Sequence, residues 1–162
     1  MKDYFPQVFN YLMNIEGVYS NDSDDPGGET KYGISKASFP DEDIKNLTLH
    51  RAEYLYRKHY WERYKCDLIQ SPILAAELFV ALVNVSAFRV IRYLQIACNE
   101  LGANLKVDSI IGPATLDFIN SFRHPKAIVS GLEGEMYQHY INQGKKKYIS
   151  GWLIRNDKDF EV

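Results

Sequence analysis

"SPILAAELFVALVN", Ser71 to Asn84, is the stretch on which the fold turns. Ser71 suits a helix N-cap and Pro72 the first turn, and from Ile73 to Val83 the run is apolar on nearly every side, with Glu77 its one charge. A helix that is apolar all round belongs inside a protein, covered by other elements. It is too short to cross a bilayer, which takes about 20 apolar residues, and Glu77 interrupts it. The expectation is a mostly α, single-core domain wrapped around this buried central helix.

The flanking sequence supplies the wrapping. Before the central run, a helix is expected from about Leu49 to Tyr64 with Thr48 as its cap. After "NVSAF", Val90, Leu94, Ala97, Cys98 and Leu101 mark one face of another, which Gly102 stops. "VDSIIGPATLDFINSF" reads as a short extended piece and then a helix with Pro113 at its first position. A further helix begins near Pro125 and runs through "EMYQHYIN", followed by Lys145, Lys146 and Lys147 and a last segment around Trp152. No Pro/Gly/Ser-rich linker separates "NVSAF" from "VIRYL". Two parts, 1–88 and 89–162, are therefore expected to pack into one unit.

The composition is that of an ordinary globular chain: 162 residues, 46% hydrophobic and 25% charged. A formal charge of -2 provides no basic field, so nucleic acid is not an expected partner. Cys66 and Cys98 form no CxxC pair and read as reduced packing residues. His50, His59, His124 and His139 form no i,i+4 pair and read as surface or supporting residues. "DSDDPG" touches the calcium-loop pattern, but Pro26 stands at a ligand position and Gly33 where the bidentate Glu belongs. Neither a metal nor a cofactor is expected. The N-terminus lacks the apolar core of a secretory signal, so the chain is expected in the cytoplasm as synthesised, without a membrane span.

Carboxylates remain as the groups for chemistry. Phe5, Val8, Phe9 and Leu12 recur at helical spacing, with Asp3 as N-cap and Gly17 as stop, and Glu16 continues their face. Then comes "NIEGVYSNDSDDPGGETKYGIS", Asn14 to Ser35, in which "KYGIS" suits a short strand or the end of a hairpin. Glycoside hydrolysis needs one carboxyl kept protonated by an apolar setting and a second that stays ionised in a wetter one. Glu16 suits the first role and Asp25, just before the Pro-Gly-Gly turn, the second. A helix-terminal Glu ahead of a polar loop is equally at home as plain structure. Glu77 is a rival buried acid, read as structural.

"EGVY", "DDPGGETKYGIS" and "HYWERYKCDLI" resemble the family 108 glycoside hydrolases, N-acetylmuramidases of phages and prophage-bearing bacteria, some called secretion activators. "LQIACNELGANLKVDSIIGPATLDFIN" is similar to the peptidoglycan-binding segment that accompanies them. The resemblance implies an α+β lysozyme-like fold with a small hairpin lobe carrying the site. It implies cleavage of the bond between N-acetylmuramic acid and N-acetylglucosamine in peptidoglycan glycan strands. By the match Glu16 takes the catalytic glutamate position. The order Glu16, Asp25, Thr30 resembles that of phage lysozymes, with Thr30 holding a water or a sugar hydroxyl and Asp24 competing with Asp25. Tyr19, Asp24, Glu29, Tyr32 and Asn84 are the candidate substrate-binding residues.

Departures from the family pattern bear on the cleft. Val18 replaces the second Gly of a usual EGGY, and in "FVALVNVSAF" Val80 takes an acidic position and Ser86 a glycine. Two functions follow from these residues. One is an endolysin-type muramidase released by a phage holin or a secretion system. The other is a non-catalytic wall-binding or secretion-assisting protein that keeps the fold.

Overall fold

The computed structural model describes residues 3–15, 19–20 and 28–144, with the backbone alone for Ile15, Tyr19 and Ser20. The expected stop at Gly17, the lysine run and the segment around Trp152 lie outside the described residues. The protein is mostly α-helical with a small antiparallel β-hairpin region, an arrangement consistent with lysozyme-like architecture.

Six α-helices are described: α1 Phe5–Ile15, α2 Leu49–Tyr56, α3 Pro72–Asn84, α4 Ala87–Glu100, α5 Pro113–Ser121 and α6 Pro125–Asn142. As its composition requires, α3 is central, with Leu74, Ala75, Ala76, Leu78, Phe79, Val80, Ala81 and Leu82 all buried. The Ser71 hydroxyl accepts from the Leu74 amide at 3.4 Å and starts the helix. Phe79 is the hub, with the rings of Phe5, Tyr56 and Trp61 tilted or edge-on to it at 5.8, 6.0 and 5.7 Å. Edge-to-face packing of this kind adds attraction to the burial of large rings. Phe5, Val8, Phe9 and Leu12 are the buried face of α1, and Asp3 Oδ1 accepts from the Phe5 amide at 3.1 Å.

The expected helix from Leu49 to Tyr64 divides in two. Thr48 caps it as expected, its hydroxyl accepting from the Arg51 amide at 3.2 Å. The α-helical part ends at Tyr56, and Arg57–Glu62 continue as a π-helix. A π turn closes over five residues, so Tyr56 and Trp61, five apart and both buried, share one face. A continuous α-helix would turn one of them away from Phe79.

The small sheet has the order β1-β2-β3, with β1 Tyr19–Ser20, β2 Thr30–Lys31 and β3 Ile34–Ser35. Ser20 pairs with Thr30, and Thr30 with Ser35. Tyr32 and Gly33 form the turn between β2 and β3 with φ of 53° and 75°. Two successive left-handed residues make the hairpin turn that matches strand twist, a conformation costly for tyrosine. The Tyr56 hydroxyl holds that turn by donating to the Tyr32 carbonyl at 3.1 Å.

In the C-terminal half, Gly102 ends α4 at a φ of 96°, the left-handed stop that glycine accommodates. Instead of running extended, "VDSIIG" breaks at Ser109, whose φ is 65°. One side chain of α4 holds the break with three hydrogen bonds. Gln95, 1% exposed, donates to Asp108 Oδ1 at 3.0 Å and the Ile110 carbonyl at 3.1 Å, and accepts from the Ser109 amide at 2.9 Å. Asn120 clasps the preceding half, accepting from the Gln70 amide at 2.8 Å and donating to the Leu68 carbonyl at 2.9 Å. Lys65 Nζ donates to the Ile111 carbonyl at 2.7 Å. α6 packs against both α3 and α4, and one buried cluster runs from Phe5 to Tyr140. Cys66 and Cys98 are free and buried within it, and burial pushes both thiols up, Cys98 to about 12.

Candidate active site

Glu16, Asp24 and Asp25, with Val18, lie outside the described residues; the elements on either side of them are described. Glu16 follows directly on α1 and is four residues after the buried Leu12. The acidic segment lies between β1 and β2, whose pairing of Ser20 with Thr30 brings its two ends together.

Thr30 is half-buried on the middle strand, and its hydroxyl donates to the Gly28 carbonyl at 3.1 Å. With its proton so engaged, the Thr30 oxygen keeps acceptor capacity for a water or a sugar hydroxyl. Gly28 has a φ of 66°, a left-handed conformation that favours glycine, and among the described residues no atom lies within 4 Å of where a Cβ would stand. Glu29, also half-buried, accepts at its carbonyl from the Lys36 amide at 2.9 Å. Tyr32 forms the turn, and its half-buried ring packs against the core. Tyr19 stands opposite Lys31 in the strand register.

Asn84 belongs to a different element. It is the last residue of α3, and its Nδ2 donates to the Val80 carbonyl one turn back at 2.8 Å. A cavity of about 290 Å³ opens beside it, lined also by Arg89, His139 and Gln143. The sequence reading did not find Arg89; its one signal is a cation three residues after the Ser86 cap. His139 is a supporting residue here, with Nδ1 3.0 Å from the Tyr93 hydroxyl and Nε2 2.9 Å from Gln143 Nε2. The structure thus groups Glu29, Thr30 and Tyr32 on the hairpin and places Asn84 at the end of the central helix.

Two departures from the family pattern acquire a physical meaning. Ser86 is the N-cap of α4 with a φ of -55°, a conformation that needs no glycine. Val80 is buried in the core face of α3, where a carboxylate would have to be paired or lose its charge. Glu77 is half-buried on the same helix.

Another group of acids stands apart from these. Asp3, Glu62 and Asp67 line a cavity of about 250 Å³ with Tyr4, Arg57 and Trp61. Asp3 pairs with Arg57 at 2.8 Å and Glu62 with Lys58 at 3.1 Å. Burial raises the Asp67 carboxyl above its ordinary value. The first two are occupied by ion pairs on the exposed surface, the pattern of structural charge.

The family described as Glycosyl hydrolase 108 matches residues 9–85. Over these residues, a little under half of its length, the chain is similar to that family. The matched segment takes in the end of α1, the acidic segment, the hairpin and α3 as far as the residue after Asn84. The solved structure of Brucella abortus SagA is similar to this chain with a TM-score of 0.76 at 20% identity, covering 94% of this chain and 92% of that one. That likeness is one of fold, and it extends through both halves. No curated protein matches the chain. The glycosyl hydrolase 108 segment ends where α4 begins. Among the described residues no helix is long and apolar enough to cross a membrane.

Proposed function

We propose that this protein is a peptidoglycan hydrolase, an N-acetylmuramidase that cuts the bond between N-acetylmuramic acid and N-acetylglucosamine. The observation that carries the reading is the family segment 9–85, which contains Glu16, Asp25 and Thr30 in one stretch across the end of α1 and the paired strands. Glu16 is the general acid, kept protonated by the apolar face it continues and donating to the leaving oxygen. Asp25, with Asp24 as its rival, is the ionised partner that steadies positive charge on the sugar or orients water. Thr30 accepts from that water or from a sugar hydroxyl. Tyr19, Glu29, Tyr32 and Asn84 line the path of the glycan. The halves 1–88 and 89–162 act as one unit, and a holin or a secretion route brings the enzyme to the wall.

The buried Val80 favours a second reading, a wall-binding or secretion-assisting protein without turnover, because it removes a charge that relatives carry on the central helix. Purified peptidoglycan distinguishes the two. A muramidase clears the suspension and creates new N-acetylmuramic acid reducing ends. Sedimentation with the wall, without new reducing ends, is the result that favours the second reading.

A further inference from the structure

We propose that the groove where α3 passes into α4 is a subsite for the peptide carried by the glycan, with Arg89 as its carboxylate anchor. The proposal rests on the muramidase reading and deepens it. Two adjoining cavities, of about 290 and 310 Å³, share Arg89, His139 and Gln143; Asn84 lines the first and Glu135 the second. Each is of the size that takes a small ligand group.

Three features define the ligand. Arg89 makes no ion pair among the described residues, whereas Arg51 and Arg57 each hold a carboxylate. Its planar guanidinium suits a carboxylate through two parallel hydrogen bonds. Asn84 has committed its Nδ2 to the Val80 carbonyl, which leaves Oδ1 as an acceptor for an amide N–H. Glu135, in the neighbouring cavity and without an ion pair among the described residues, supplies the opposite charge for an amine. Carboxylate, amide N–H and amine together describe a peptide with charges of both signs, and a neutral sugar offers only the amide. The wall between the two cavities is preset, since His139 is held at one ring nitrogen by Tyr93 and at the other by Gln143. A site ordered before binding loses less entropy on association.

The test uses the full chain and ligands that contain no cleavable bond. N-acetylglucosaminyl-N-acetylmuramic acid bearing its peptide, the peptide alone and N,N′-diacetylchitobiose are titrated by calorimetry against the parent, Arg89→Ala and Arg89→Lys. The parent should bind the peptide-bearing disaccharide at least about tenfold more tightly than chitobiose, the size of one charge-assisted hydrogen-bonded contact. Arg89→Ala should abolish that difference, Arg89→Lys should restore part of it, and added salt should shrink it. Equal affinities in the parent, or an Arg89→Ala loss that is the same for all three ligands, would overturn the subsite. A parent that hydrolyses wall but shows no peptide preference overturns this proposal alone. A preference that depends on Arg89 in a protein that yields no reducing ends supports the subsite and overturns the hydrolase reading.

Discussion

The hairpin region and the helical body are held by different means. Around α3, stability comes from close-packed rings and aliphatic chains, with Phe79 at the hub and α6 lying so near α4 that a Cβ on Gly131 would stand 2.8 Å from that of Ala97. The three strands have two residues each, and from Gly28 to Leu47 the buried apolar residues are Ile34, Ile44 and Leu47. The partly buried Tyr32 and Phe39 pack against the core, and polar contacts add to them: Tyr56 on the Tyr32 carbonyl, Lys31 on the Lys45 carbonyl at 3.0 Å, and Arg51 on Glu42 at 2.7 Å. The candidate catalytic stretch spans the boundary between the two. Its acid follows α1 in the sequence, and Thr30 belongs to the lightly held part, the usual place for elements that adjust to a ligand.

The largest effect should come from disturbing the body. Gly131→Leu forces α4 and α6 apart and should cost about 3 kcal/mol, at the upper end of overpacking penalties, read as a lowered midpoint in urea. Gly131→Ala should cost less, because alanine regains about 1 kcal/mol of helix propensity. Next is the contact that joins the two regions. Tyr56→Phe leaves the ring packing in place and removes the hydroxyl from the Tyr32 carbonyl, so it should cost about 1.5 kcal/mol of stability. If the hairpin positions Thr30, the same variant should lose a larger factor in rate on peptidoglycan than in stability. Equal losses would make the hairpin a bystander. The smallest effect should be a gain. Ser109 has a φ of 65°, and its buried hydroxyl has no hydrogen-bond partner in the described structure. Ser109→Gly relieves both, and after the entropy that glycine adds to the unfolded chain it should stabilise by about 1 kcal/mol, seen as a rise in Tm of roughly 3 °C.

Features governed by local rules were readable from the sequence. The buried central helix, the caps at Thr48 and Ser71, proline at the start of α5 and the glycine stop after α4 all follow from one residue type in one local setting. What escaped depends on distant partners. The switch from α to π helix at Arg57 exists because Tyr56 and Trp61 both pack on Phe79, a residue of another helix. "VDSIIG" reads as a short extended piece, yet Gln95, a residue of α4, holds it bent at Asp108, Ser109 and Ile110. Of the candidate site, "KYGIS" was legible as a short strand or the end of a hairpin, and the structure makes it a Tyr32–Gly33 turn between β2 and β3. The cavity beside Asn84 was not, because α6, more than forty residues on, forms one wall of it.

The central claim is that Glu16 donates a proton to the leaving oxygen, and the direct measurement is the initial rate of reducing-end release from purified peptidoglycan by the parent and by Glu16→Gln. Glutamine keeps the shape and some of the hydrogen bonding but has no proton to transfer. The account predicts a fall of at least about a hundredfold, the low end of what a general acid contributes, with unchanged Tm and unchanged sedimentation with the wall. A Glu16→Gln protein that releases N-acetylmuramic acid reducing ends at close to the parent rate would contradict it.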